Sequence, residues 1–471
     1  MNHTKNIFTN SGIRQTIDHE LLQPKAIQAL GYAIATLLAQ EFDYVCNILI
    51  ATDTRPSGEC IKQTLIDAFI ECGHDVFDAG ILPTPYVAKA LKDFVPDDSD
   101  ENDDTDDHQD FDDLQDQNNE PFFTLGIIIT ASHNPANFNG IKILTPFGYL
   151  DEVVESEITS LFFEFYNKKE LINDAHAQQP GYLQNIHLAP WYQATITEHI
   201  KKVASPTTVL LDCAHGAAAQ VGPDIFQSFG YQVTPINADT DGSKINQNSN
   251  CNNPQLLMET LQKSNATWAC AFDGDADRVI IAHRNGTIFD GDDIVAILAQ
   301  HPRYKNNPII VGTILTNQGL EQYLKTLNKK LIRCAVGERN LINALIKHQA
   351  FLGAETCGHI IMMDHALCSD GIFTALQFLE LIQSKNIAHV YKKYDQQHKM
   401  IHISDPKKIP QCSSQITALQ KQYQIGDSCR IIVRPSNTEP VLRIMVESLD
   451  QQKAINICNA LHDQLKFLLN N

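Results

Sequence analysis

Two short segments hold the residue types that phosphoryl chemistry needs. Phe272-Asp273-Gly274-Asp275-Ala276-Asp277-Arg278 follows an apolar run. Three carboxylates at spacing two can turn inward from a tight loop, and the glycine permits the turn. Hard oxygen donors of this kind suit Mg2+, which keeps its remaining positions for water and phosphate oxygen. Three aspartates directly after a buried strand repel one another without a cation, which favours a metal loop over a solvated acidic turn. Thr130-Ala131-Ser132-His133-Asn134-Pro135 ends a second apolar run. Ser132 does not lie in GxSxG, so acyl transfer has little support. Beside a metal loop, Ser132 is placed to accept a phosphoryl group whose charge the ion and Arg278 neutralise. Lys142 follows Asn139-Gly140-Ile141 and lies in range of the same site. Taken alone, each has a plainer reading: an ordinary Ser-Asn-Pro turn and a surface lysine.

Two further segments carry groups that bind phosphate and sugar. Arg434-Pro435-Ser436-Asn437-Thr438-Glu439-Pro440, with Arg443 beyond it, combines guanidinium, hydroxyls and turn N–H groups. That is a suitable cradle for a phosphate dianion. Glu355-Thr356-Cys357-Gly358-His359 sets a carboxylate and an imidazole around a glycine turn. A carboxylate binds vicinal hydroxyls, and an imidazole moves a proton near neutral pH. A structural histidine is the plainer reading of His359. Cys357 shows no thiolate-stabilising setting that would make it a nucleophile.

The elements that position these groups are α/β layers. Asn47–Ala51, Leu125–Thr130, Thr208–Asp212, Trp268–Phe272 and Pro308–Gly312 read as buried strands alternating with helical patterns. Polar residues follow each run, and in open α/β sheets ligands bind at that carboxyl end. Three such ends carry unusual chemistry: Ser132, the Asp273 cluster and Asp53-Arg55. From about Ala388 onward, strands at Cys429–Val433 and Leu442–Glu447 and a helix over Gln452–Leu469 read as a small α+β domain.

Length and charge bound the rest. The 471 residues suggest about three domains, with two or four also open. The net charge of −20 is not that of a nucleic-acid binder. Residues Asp97 to Glu120 hold thirteen of the carboxylates and no Lys or Arg, and the remainder of the chain is −7. That segment is predicted to be a disordered surface insert. An anionic substrate must therefore rely on a local basic cluster. Twelve scattered cysteines form no CxxC or zinc pattern and read as reduced, mostly buried thiols of a cytosolic protein. No apolar run of spanning length and no secretory signal are apparent.

In this order, the four motifs resemble the α-D-phosphohexomutase superfamily over nearly the whole chain. The resemblance implies three similar mixed-sheet α/β domains plus a smaller C-terminal α+β domain around a central active-site cleft. The boundaries expected are 1–170 with the insert at 97–120, then 171–288, 289–387 and 388–471. It implies that Ser132 is the phosphoserine and, with Asp273, Asp275 and Asp277, a Mg2+ ligand. Arg278 then stands beside the phosphoserine, with His133 in the catalytic group. Arg14 and Lys142 lie near the transferred group and in proton transfer, with Lys142 or His359 as base. Glu355, Thr356, Cys357 and His359 read the sugar. Arg434, Ser436, Asn437, Thr438 and Arg443 grip the non-reacting phosphate.

Within the superfamily the chain resembles the bacterial phosphoglucosamine mutases, on Thr130–Pro135, Asp212–Ala217, Ile245-Asn246, Val336–Arg339 and Arg443–Glu447. That branch implies interconversion of glucosamine 6-phosphate and glucosamine 1-phosphate through a hexosamine 1,6-bisphosphate. It implies a cytoplasmic enzyme serving cell-wall precursor synthesis, with a phosphosugar substrate and no nucleic-acid or membrane partner. A homodimer, and an activating kinase or autophosphorylation, stay open. The family's Phe-Gly-Thr-Asp-Gly-Ile-Arg-Gly reads here Phe8-Thr9-Asn10-Ser11-Gly12-Ile13-Arg14-Gln15. Cys357 stands for the usual serine, and Asn437 resembles the phosphomannomutase/phosphoglucomutase branch. The same chemistry on mannose or glucose phosphates, a non-catalytic sugar-phosphate-binding paralogue and a metal-dependent phosphatase are the alternatives.

Overall fold

The computed structural model describes residues 6–9, 12–94, 122–168, 179–203, 205, 207–382, 389–403, 408–424, 429–435 and 440–470. The acidic insert at 97–120 and Ser436, Asn437 and Thr438 of the expected phosphate loop lie outside these residues.

Four sheets follow one another along the chain. The first is seven-stranded. Leu125–Ile129, Asn47–Thr52 and Asp75–Ile81 run parallel at its centre. Phe138–Thr145 and then Ile13–Thr16 extend it antiparallel. Its central strands are apolar on both faces because helices cover both sides, as parallel sheets require. Its far edge is Leu183–Asn185, which pairs with Asp75–Ile81, so the sheet draws on chain beyond residue 170.

The second sheet has five strands and the third four, each with a parallel core and an antiparallel edge. The fourth has three antiparallel strands, Asp395–His402, Val441–Ser448 and Cys429–Pro435. It packs on the helix Gln451–Asn470 through Ile444, Val446, Cys458 and Leu461. The expected mixed α/β layers and smaller α+β unit are therefore the architecture observed. One apolar cluster runs from Leu49 and Tyr86 through Phe226 and Phe272 to Phe373, welding the first three units together. The fourth unit has a core of its own.

Helix starts follow ordinary capping chemistry. Asp151 caps Glu152–Asn167 by accepting from the Val153 and Val154 amides, 2.9 Å each. Among the described residues, no helix is long and apolar enough to cross a membrane. All twelve cysteines are free thiols, and Cys60 and Cys357 are exposed.

Candidate active site

The first two sheets aim the carboxyl ends of Leu125–Ile129 and Trp268–Phe272 at one point. Ser132 follows the first strand in left-handed conformation, φ +47°. A non-glycine residue holds that region only where its surroundings impose it. Here the surroundings are Asp53 and Arg55. Asp53 accepts from Thr130 Oγ1 at 2.6 Å, and Thr130 Oγ1 in turn accepts from the Ser132 amide at 2.8 Å. The Arg55 guanidinium, paired with Asp53 at 2.9 Å, donates to the carbonyls of Ser132, Asn134, Pro135 and Phe138. Asn246 donates to the Ser132 carbonyl at 2.6 Å and to Asn134 at 3.0 Å.

The acidic loop lies directly against this turn. A Cβ at Gly274 would stand 2.6 Å from the Ser132 carbonyl oxygen, so only glycine permits the approach. Ser132 Oγ donates to Asp273 Oδ2 at 2.9 Å and lies 3.3 Å from His133 Nδ1. Asp273, Asp275 and Asp277 are buried, and one oxygen from each lies within 4.8 Å of the others. Thr84 donates to Asp275 Oδ2 at 2.6 Å, whereas Asp275 Oδ1 is buried without a hydrogen-bond partner.

Lys142 supplies the positive charge. Its strand, Phe138–Thr145, pairs Lys142 with Ile128, which turns Nζ to within 2.6 Å of Asp275 Oδ2 and 2.7 Å of Asp277 Oδ2. Burial opposes the charge on Lys142, but Asp275 and Asp277 outweigh it and hold the pKa well above the ordinary lysine value. Burial likewise opposes ionisation of Asp277, and Lys142 and His359 overcome it and hold that carboxyl well below its usual range. Asp273 is left short of cations. Burial, Asp277 and Asp275 push it up to about 8. An orphaned carboxylate oxygen, a carboxyl held protonated and three convergent hard donors fit a divalent ion such as Mg2+.

Arg278 from the second unit and His359 from the third close the site. Arg278 Nε lies 2.9 Å from His359 Nε2 and 3.7 Å from Asp273 Oδ2. His359 bridges Asp277 Oδ1 at 3.2 Å and Glu355 Oε2 at 3.0 Å. Burial and Arg278 press the imidazole towards neutrality, and Asp277 and Cys357 raise it well above the ordinary value. His133 goes the other way, down to about 2, through burial, Arg278 and Arg14. Arg14 donates from Nη1 to Asn134 Oδ1 at 3.2 Å. The segment before it turns back at Thr9 and Gly12, and a Cβ at Gly12 (φ +88°) would strike the Ile141 carbonyl at 2.3 Å.

Of the sugar-loop residues, Glu355, Cys357 and His359 face one another, while the Thr356 hydroxyl donates to Asp292 at 3.2 Å. In the fourth unit Arg434 and Arg443 stand directly opposite across the strand pair. Burial and Arg443 lower the Arg434 pKa, and Glu355 counters them. Two guanidiniums facing each other across strands repel, so the pair is suited to an anion.

Sequence reasoning singled out Asp53-Arg55 without a role, named Glu338 only within the Val336–Arg339 segment of the resemblance, and missed Thr84 and Tyr149. Glu338 accepts from Tyr149 at 2.6 Å and from the Ser369 amide at 2.7 Å, joining the first and third units beside the site. It also lies in a cluster with Asp277 and His359. No local spacing marks such a residue.

Comparison with known proteins defines the class. Models of the phosphoglucomutase/phosphomannomutase family match alpha/beta/alpha domain I at residues 5–168, domain II at 187–286, domain III at 290–398 and the C-terminal domain at 416–464. The chain belongs to this phosphohexomutase superfamily. Within it, the chain is similar to the phosphoglucosamine mutases. That of Dictyoglomus turgidum is 31% identical, with 94% of both chains covered. That of Methylobacterium nodulans is 31% identical, with 98% of both covered. The fold is shared with a phosphoglucomutase/phosphomannomutase family protein of Burkholderia thailandensis, TM-score 0.80 at 19% identity, covering 98% of each chain. It is also shared with Aspergillus fumigatus N-acetylphosphoglucosamine mutase in complex with GlcNAc-6P and magnesium, TM-score 0.61 at 15% identity, covering 98% of this chain and 96% of that one.

Proposed function

We propose that this enzyme is a phosphosugar mutase interconverting glucosamine 6-phosphate and glucosamine 1-phosphate through phosphorylated Ser132. The observation that carries the reading is the buried contact of Ser132 Oγ with Asp273, 2.9 Å, inside three carboxylates. Phosphoglucosamine mutase relatives over nearly full length support the aminosugar.

Asp273, Asp275, Asp277 and a phosphate oxygen on Ser132 would hold Mg2+. The bound ion would neutralise phosphoryl charge. The residues then have distinct tasks. Arg434 and Arg443 hold the non-reacting phosphate, together with the expected Ser436, Asn437 and Thr438. Glu355 orients sugar hydroxyls; Cys357 and Thr356 belong to the same loop. A sugar hydroxyl attacks the phosphorus and the P–O bond to Ser132 breaks; Lys142 Nζ, once it has lost its own proton, takes the hydroxyl proton, and the departing Ser132 Oγ takes up a proton from water. Lys142 is the better base than His359. Burial pulls its pKa down, and Asp275 and Asp277 are the main groups that hold it up. Carboxylates engaged elsewhere release that hold. His359, gripped by Asp277 and Glu355, and Arg278 and Arg14 instead neutralise charge on the transferring group. His133 stays neutral beside Ser132 Oγ. The hexosamine 1,6-bisphosphate turns over in the cleft and returns its other phosphate to Ser132. One phosphate site must accept either end, which suits a flat pair of arginines.

The domain division read from the sequence, 1–170, 171–288, 289–387 and 388–471, belongs to the same proposal, with Leu183–Asn185 returning to the first sheet, as do a cytoplasmic location and an external or autocatalytic first phosphorylation. A Ser132→Ala protein tests the scheme. Loss of turnover with retained sugar-phosphate binding is expected, and normal steady-state turnover would overturn it.

A further inference from the structure

We propose that Glu355, Cys357 and His359 form a second metal site, one for a thiophilic divalent ion such as Zn2+, whose occupation closes the sugar end of the cleft.

The three donors already form a triangle. Cys357 Sγ lies 3.8 Å from His359 Nδ1 and 4.0 Å from Glu355 Oε2, and His359 Nδ1 lies 3.0 Å from Glu355 Oε2. A tetrahedral Zn2+, with its sulfur at about 2.3 Å and nitrogen and oxygen at about 2.0 Å, sets its donors roughly 3.3–3.6 Å apart. The triangle therefore needs shifts of only about half an ångström. The donor set of carboxylate, thiolate and imidazole is a zinc set, whereas the neighbouring triplet of aspartates is a magnesium set.

The backbone holds this triangle in place. The loop is a closed turn: the Glu355 amide donates to His359 at 2.9 Å and the Gly358 amide to Glu355 at 3.0 Å. Val279 locks it from the second unit by donating to the Gly358 carbonyl at 3.1 Å. Gly358 has φ +104°, and a Cβ there would stand 2.6 Å from the Val279 carbonyl. The outer partners are also in place. The Gly337 amide fixes the second oxygen of Glu355 at 2.8 Å, and Asp277 Oδ1 lies 3.2 Å from His359 Nε2. Carboxylate, histidine and metal in a row is the usual way an imidazole ligand is oriented. Cys357 is exposed, so an ion can enter from the cleft and leave its fourth position to water or a sugar hydroxyl.

Binding has a chemical consequence. The ion displaces the thiol proton of Cys357 and any proton on His359 Nδ1. The remaining ring proton must then sit on Nε2 and point at Asp277. A bound ion thus takes Glu355 from the sugar. Metal binding stands independently of the sugar assigned above; the effect on turnover rests on it.

Reduced full-length protein saturated with Mg2+, which keeps the aspartate loop occupied, is titrated with Co2+. The expected result is a near-ultraviolet thiolate-to-Co2+ absorption band at one equivalent, abolished by Zn2+ and absent in Cys357→Ser. His359→Asn, folded by circular dichroism, loses the tight band as well. At constant Mg2+, Zn2+ inhibits turnover, and the potency falls at least about tenfold in Cys357→Ser relative to its own uninhibited rate. No thiolate band, or one that survives Cys357→Ser, overturns the site. A band in protein that does not turn over glucosamine 6-phosphate supports the metal site and counts against the sugar reading alone.

Discussion

Lys142 and Asp275 form an ion pair at 2.6 Å with both side chains buried, 2% and 0% exposed. The lysine charge fills the space between Asp275 and Asp277 and leaves Asp273 to Arg278 at 3.7 Å, which burial and the two other aspartates outweigh. That imbalance governs how the enzyme responds to pH and to Mg2+.

The first prediction concerns Asp273. Its folded pKa, about 8, lies above the ordinary 3.8. Between those values the unfolded chain is ionised while the folded protein still carries the proton. The folded state binds more protons, so stability falls as pH rises from about 4 to about 8. Mg2+ selects the ionised form. The gain in Tm on adding Mg2+ should be larger at about pH 8 than at about pH 6, by differential scanning fluorimetry. An equal or smaller gain at the higher pH would contradict it.

Buried Arg55 shapes the Ser132 turn through its carbonyls. Lysine presents one nitrogen where Arg55 uses a planar fork to reach four carbonyls and Asp53. Arg55→Lys should lower kcat roughly 100-fold through misplacement of Ser132. KM should change little. A fall confined to KM would place Arg55 in substrate binding instead.

Arg434 and Arg443 repel each other across the strand pair when no anion lies between them. Arg434→Met should therefore raise KM for the sugar phosphate by about tenfold or more. It should also leave the ligand-free protein as stable or more so, by about 0.2–1 kcal/mol. Urea denaturation and steady-state kinetics on one preparation decide both parts.

Much of this arrangement was legible in the sequence. Ser132 and the aspartate triplet follow buried apolar runs, and both the strand ends and the polar residues after them are local signals. Lys142 was ambiguous alone, since a lysine after Asn-Gly reads as surface. Its burial comes from strand register and from two carboxylates more than 130 residues away. Leu183–Asn185 is exposed and carries no apolar alternation, so nothing local assigned it to the first sheet. Glu338 and Tyr149 gain their meaning only when the first and third units pack together.

That packing gives a stability prediction. Glu338→Ala leaves the Tyr149 hydroxyl and the Ser369 amide without their acceptor in a buried setting. The cost should be about 2–5 kcal/mol in urea unfolding. Tyr149→Phe, which removes one donor, should cost about 1 kcal/mol. Equal costs would mean that the hydroxyl carries the whole contact.

The most direct test of the central claim is turnover with Mg2+ on glucosamine 6-phosphate, against mannose and glucose phosphates, in protein whose Ser132 phosphate is confirmed by mass spectrometry. Preferential glucosamine turnover, with the phosphate on Ser132 exchanging into product, is the predicted result. Activity confined to the neutral sugars, or no transfer from protein confirmed to carry the Ser132 phosphate, would contradict it.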